Sequence, residues 1–232
     1  MAASLSALAT TTNSVSDKNA KTVSEKVRVE TPLNLAILIQ DDLVSRVGNE
    51  LDVTRNFIRS LPAGSRVMVA YLTTGTLQVR QPFTSDLDKA AKALRVPVAN
   101  TSASPYNPYV EVIEALRRFE ASGSNRNALL LISDGLDTSH GFDIDSAANT
   151  IDLARAIKEA QKRNVAVYSF YAPTVGLTSW NQRAIGYGQS SLNRISNETG
   201  GRAFFQGTSF VTFDAYFERL RQALNEQYAR AY

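Results

Sequence analysis

The chain has 232 residues, 44% hydrophobic and 20% charged, with a formal net charge of +3 and no cysteine. That is enough for one large domain or two small ones, with a core that needs no covalent staples. The missing cysteines exclude disulfides, thiolate metal sites and cysteine nucleophiles. Basic and acidic residues are interspersed, without the basic stripe of a nucleic-acid binder, and no apolar run approaches the ~18 residues of a membrane span.

Residues 1–28 are rich in Ala, Ser, Thr and Lys without a hydrophobic period, which reads as an arm or linker. Their start has no basic n-region and no long apolar h-region, so it does not read as an intact secretory signal. From Val29 to Tyr232 apolar runs alternate with amphipathic stretches, the pattern of one domain. "LNLAILI", "RVMVAYL", "ALLLIS" and "VAVYSFYA" are continuous β-type runs, as expected of strands buried on both faces of a mostly parallel sheet. "TGTLQVRQPF" follows the second run across a Thr-Gly turn and predicts a short antiparallel edge strand.

Helical spacing links Val47, Leu51, Thr54, Ile58 and Leu61, and likewise Tyr109, Val112, Ile113, Leu116 and Phe119. Ile151, Ala154 and Ile157 form a third stripe, in a helix expected around Ala147 to Lys162, and Phe213, Tyr216, Leu220 and Leu224 a fourth. "ETGGRAFF" ends one helix on glycines and starts a last strand. The order β-α-β-β-α-β-α-β-α-β-α predicts an α/β fold: a doubly wound, mostly parallel six-stranded sheet with helices on both faces.

Ligands of such sheets bind at the carboxyl ends of the strands. Four loops are expected there: Gln40 to Ser45, Thr101 to Tyr109, Ser133 to Phe142, and Pro173 to Ser190. The first carries adjacent acids, Asp41 and Asp42, whose plainest role is to cap the helix starting near Ser45. Asp143 and Asp145 read as caps of the later helix. His140 stands alone as a histidine, and with Asp134 and Asp137 it is the only constellation that could suggest a hydrolase. "GYGQSS" lacks the third glycine of a dinucleotide fingerprint, with Ser191 in its place, and reads better as a tight turn with serine capping. The long loop after "VAVYSFYA" holds the single tryptophan, Trp180, with Arg183 and Tyr187, while Tyr106 and Tyr109 lie on a neighbouring loop. Trp, Tyr and Arg are favoured anchors in protein interfaces. The alternative is that Trp180 folds down to close a small core of its own loop.

In their order, "LPAGSRVMVAYLTTGTLQVRQPFTSD", "ALLLISDGLDT", "VAVYSFYAP", "GYGQSSLNRISNETGGRAFF" and "YFERLRQALNEQYARAY" resemble a von Willebrand factor type A (VWA) domain. The kind resembled is the VWFA-related one frequent in acidobacterial proteins, and the likeness runs from Thr31 to Tyr232. It implies a metal-ion-dependent adhesion site with D-x-S-x-S after the first strand, a threonine in a second loop and an aspartate after the fourth strand. Here Gln40 stands for the leading aspartate, Asp42 for the first serine and Val44 for the last. The threonine falls at Ser104 or Tyr106, and Asp134 matches the final aspartate. Only Asp42, Ser104 and Asp134 would then remain to hold Mg²⁺, unless Asp41 substitutes, and affinity for a hard cation follows ligand count and charge. The expectation is therefore a degenerate site without a cofactor. The resemblance implies a bacterial, extracytoplasmic, non-enzymatic module of adhesion or assembly, and the composition of the rim loops makes Tyr106, Tyr109, Trp180, Arg183 and Tyr187 the expected contacts for a protein partner.

Overall fold

A computed structural model describes residues 29–120, 126–139, 141, 151–205 and 212–230. The arm at 1–28, His140, Asp143 and Asp145 lie outside the described residues. Twelve elements alternate as α/β units: β1 (Leu33–Gln40), α1 (Leu51–Arg59), β2 (Arg66–Thr73), β3 (Thr76–Thr84), α2 (Leu87–Lys92), α3 (Pro108–Leu116), β4 (Arg126–Ser133), α4 (Ile151–Lys162), β5 (Val165–Tyr171), α5 (Gln182–Glu198), β6 (Ala203–Phe204) and α6 (Phe213–Arg230). One six-stranded sheet runs β3-β2-β1-β4-β5-β6. Its neighbours are parallel except β2 and β3.

All eight residues of β1 are buried, as are all seven of β5. Odd positions of β1, such as Leu35 and Ile37, pack with Phe57 and Ile58 of α1 and Phe213, Tyr216, Phe217 and Leu220 of α6. Even positions, Ala36 and Leu38, pack with Val112 and Leu116 of α3, Ala156 and Ile157 of α4, and Leu192 and Ile195 of α5. Two cores thus cover the two faces, which is why a parallel strand reads as an unbroken apolar run. The antiparallel edge strand β3 is nine residues long rather than short. It faces inward only with Leu77, Val79 and Phe83, and Pro82 and Arg80 stand exposed on it, both of which discourage pairing at an open edge. The short edge strand is β6, with two residues.

Three expectations change. The expected stripe on α4 is out of phase: Ile151 is 70% exposed, and the buried face is Leu153, Ala156, Ile157 and Ala160. A periodic pattern of small and apolar residues allows neighbouring phases, and packing against α3 and α5 selects one. The long loop from Pro173 ends at Asn181, whose side chain accepts from the backbone N–H groups of Arg183 and Ala184 and so caps α5. "GYGQSS" is therefore the second turn of a helix and not an entry turn. Its Gly188 has a packing role: a Cβ there would lie 2.0 Å from the carbonyl oxygen of Asp134. Only glycine lets α5 come this close to the end of β4. No described helix is long and apolar enough to cross a membrane.

Candidate functional site

Strand order reverses between β1 and β4, and at that point their carboxyl ends lie side by side, Ile39 opposite Ile132. Of the next residues, Gln40 and Asp134 form the floor of a cavity of about 330 Å³, and Ser133 lies buried behind Gln40. All four loops expected at the rim contribute to its wall. They supply Asp42, Ser104 and Tyr106, Leu136 and Thr138, and Thr174 and Leu177. Hydrogen bonds lock the loops together. Thr138 N–H donates to the Tyr106 carbonyl at 2.7 Å, Val44 N–H to Pro173 at 3.0 Å and Val175 N–H to Asp42 at 3.0 Å.

Gln40 organises the floor. Its Nε2 donates to Asp42 Oδ1 at 2.9 Å, and its Oε1 accepts from Ser133 Oγ at 2.5 Å. Asp134 is similarly held: Oδ1 accepts from Leu136 N–H at 3.1 Å and Oδ2 from Thr178 Oγ1 at 2.9 Å. The Thr178 hydroxyl in turn accepts from Thr174 N–H at 2.9 Å. Asp42 and Asp134 are each only 3% exposed. Burial and the facing Asp42 carboxylate push the Asp134 carboxyl up to about 7. Burial also raises Asp42, against hydrogen bonds from Gln40 and Ser104 that favour its charged form.

The two adjacent acids do not act as a pair. Successive residues leaving a strand point to opposite faces, so Asp42 enters the cavity while Asp41 turns to the other side of the sheet. There Arg95 grips Asp41 with both guanidinium nitrogens, at 2.6 and 2.7 Å, and stacks 4.0 Å above the Tyr71 ring. Val98 N–H adds a third bond to Asp41 at 3.0 Å. Asp41 is thereby unable to serve as a substitute metal ligand. The capping expectation fails for both acids: the turn at Ser45–Glu50 has Val44 at its N-cap and no side-chain cap bond.

The residues present do not fit the adhesion-site cation. Val44 carries no donor atom and packs against the core. Gln40 directs an N–H at Asp42 where the pattern has a carboxylate, and each Asp134 oxygen has one lone pair already given to a fixed donor. Among the described residues no cluster of three or more His, Cys, Asp or Glu is placed to hold a metal.

The expected contact residues separate. Tyr106 and Trp180 are 51% and 69% exposed, and Arg183 is exposed as well. Tyr109 is fully buried. Its hydroxyl donates to the Gly135 carbonyl at 2.7 Å, so its place in the α3 stripe prevails over a place on the rim. Tyr187 is half-buried and packs with Leu177 against Leu136 and Ala184. That small core under the loop is closed by Tyr187 and not by Trp180. Asp137 bonds to Ser139 N–H and Oγ at 3.0 and 2.7 Å and is not among the residues lining the cavity. Sequence reasoning missed Thr174, Thr178 and Arg95. Two threonines four apart in "APTVGLT" were a usable signal once Asp134 was expected to need donors. Arg95 gave none, being 54 residues from its partner.

No protein-family profile and no curated protein matches the sequence. Solved structures do resemble the fold. An aerotolerance-related membrane protein from Bacteroides fragilis NCTC 9343, with multiple mutations to serines, aligns at 12% identity with a TM-score of 0.57, over 84% of this chain and 99% of its own. BatB, a conserved hypothetical protein from Bacteroides thetaiotaomicron, aligns at 10% identity with a TM-score of 0.54, over 85% and 99%. The SpRpn10 VWA domain aligns at 14% identity and a TM-score of 0.46, over 84% and 95%. Sheet order, the antiparallel edge and the cavity at the β1–β4 switch point give this chain a VWA-like α/β fold.

Proposed function

We propose that the chain is a non-catalytic adhesion module that binds a protein partner through its strand-end rim without a strict metal requirement. The observation that carries this reading is the closed hydrogen-bond network of the floor. Gln40 and Thr178 supply from within the chain the donors that neutralising chemistry would otherwise bring to Asp42 and Asp134. Recognition then falls to shape and to anchors beside the cavity, where Tyr106, Trp180 and Arg183 stand in solvent. The separation of Asp137 from the cavity that Asp134 lines counts against a hydrolase built on Asp134, Asp137 and His140. An extracytoplasmic, cell-envelope setting is part of the proposal, supported by the membrane protein named among the similar folds.

The test is a partner purified from cell-envelope extract and titrated against the wild-type chain and Trp180→Ala. Truncating a true anchor costs about 2 kcal/mol, roughly thirtyfold in affinity. The melting temperature should hardly move, because Trp180 is exposed. Chelator should leave the affinity unchanged, and millimolar Mg²⁺ should not raise the melting temperature, as a bound ion would by mass action. Binding that needs Mg²⁺, or that ignores the rim substitution, overturns the reading.

A further inference from the structure

The cavity has a chemical character that says what the partner must offer. Its floor carries two buried carboxylates, and among the described lining residues there is no Lys, Arg or His. Arg95 is committed to Asp41 on the other face. The wall is mixed: Leu136, Leu177 and the Tyr106 ring give apolar surface among the hydroxyls of Thr101, Ser102, Ser104, Thr138 and Thr174, and Tyr106 stands half in solvent. Carboxylates with apolar patches beside them suit a long side chain with a charged tip.

Resting on the reading that the rim binds a protein, we propose that this cavity takes the primary ammonium of a partner's lysine, with Asp42, Asp134 and Ser104 as acceptors and Tyr106, Leu136 and Leu177 along its stem. Loss of the cation thus reverses the charge of the side chain recognised. A divalent ion in this place would seek an acid from the partner, whereas carboxylates without an ion attract a base. The hydrogen bonds already made select lysine over arginine. A guanidinium fork needs both oxygens of one carboxylate. Asp134 has both oxygens in use, and Asp42 has Oδ1 taken by Gln40. A compact ammonium with three rotatable donors can instead take one remaining lone pair from each of several acceptors. The half-exposed Tyr106 ring adds a cation–π face at the entrance.

The test uses Nα-acetyl-lysine amide, with the norleucine and arginine amides as controls, titrated against the labelled full chain by NMR. The lysine amide should give saturable shifts at the backbone amides of Ser104, Tyr106 and Leu177, and the norleucine amide none. Asp134→Asn should weaken the lysine amide by about tenfold or more, the loss of one charged hydrogen-bond acceptor. Ser104→Lys is a second variant that keeps both carboxylates while losing the Ser104 hydroxyl bond to Asp42. Its tethered ammonium should block the added lysine amide and raise the melting temperature. Equal shifts from the norleucine amide, tighter binding of the arginine amide, or displacement by millimolar Mg²⁺ would overturn the proposal. A partner that still needs Trp180 but is indifferent to Asp134→Asn would sink the lysine pocket and leave the rim-binding reading standing.

Discussion

Asp134→Asn should make the protein more stable, by an amount that grows between about pH 4 and 7 and levels off above that. The Asp134 carboxyl titrates near 7 in the fold against an ordinary 3.8, so the folded state holds the proton more tightly than the unfolded chain. The stability this contributes is present in full below about pH 3.8 and is lost as the pH rises through about 7. Above that, the wild type gives up about 4 kcal/mol relative to a permanently neutral group, and near pH 5 only about 1.5 kcal/mol. Asparagine keeps the geometry. Its Oδ1 still accepts from Leu136 N–H, and its Nδ2 can donate to the Thr178 hydroxyl, reversing the bond that Asp134 accepts. The assay is urea denaturation of both proteins at about pH 5 and pH 8, comparing midpoints at constant slope. An advantage for the variant that is the same at both pH values would refute the reasoning, because burial of a charge would then not be its source.

Gly188→Ala should cost about 3 kcal/mol or more, since its Cβ would meet the Asp134 carbonyl at 2.0 Å and backbone cannot swing aside as a side chain can. A urea midpoint equal to the parent's would mean that α5 packs less tightly against β4 than described. Glu111 is buried on α3, its Oε2 is without a hydrogen-bond partner, and burial raises its carboxyl to about 9. Its contribution to stability is present below the ordinary 4.5 and is lost as pH rises through about 9. Wild-type stability should therefore fall between about pH 6 and 9 more steeply than that of Glu111→Gln, and parallel slopes would count against this.

How much of this was legible beforehand divides along the reach of the interactions. Continuous apolar runs for β1, β2, β4 and β5, the Thr-Gly hairpin to β3 and the stripes on α1, α3 and α6 are written in neighbouring residues. Backbone periodicity and burial on both faces act over a few positions, so the sequence alone determined the strands, their order and the loops that meet at the switch point, but not α2, a second helix between β3 and β4 that the expected order lacks. The replacement of usual ligands by Gln40 and Val44 was equally visible, because identity at a position needs no coordinates. What tertiary structure decided were choices that local pattern leaves degenerate. The phase of α4, the helical fate of "GYGQSS" and the burial of Tyr109 all depend on which neighbour a face meets. Asp41 and Asp42 look alike in sequence, yet strand alternation sends one to Arg95, 54 residues away, and the other into the cavity. The pairing of Thr178 with Asp134 spans 44 residues. Contacts of that separation form only when the sheet closes, because chain connectivity sets no preference among distant partners and packing does.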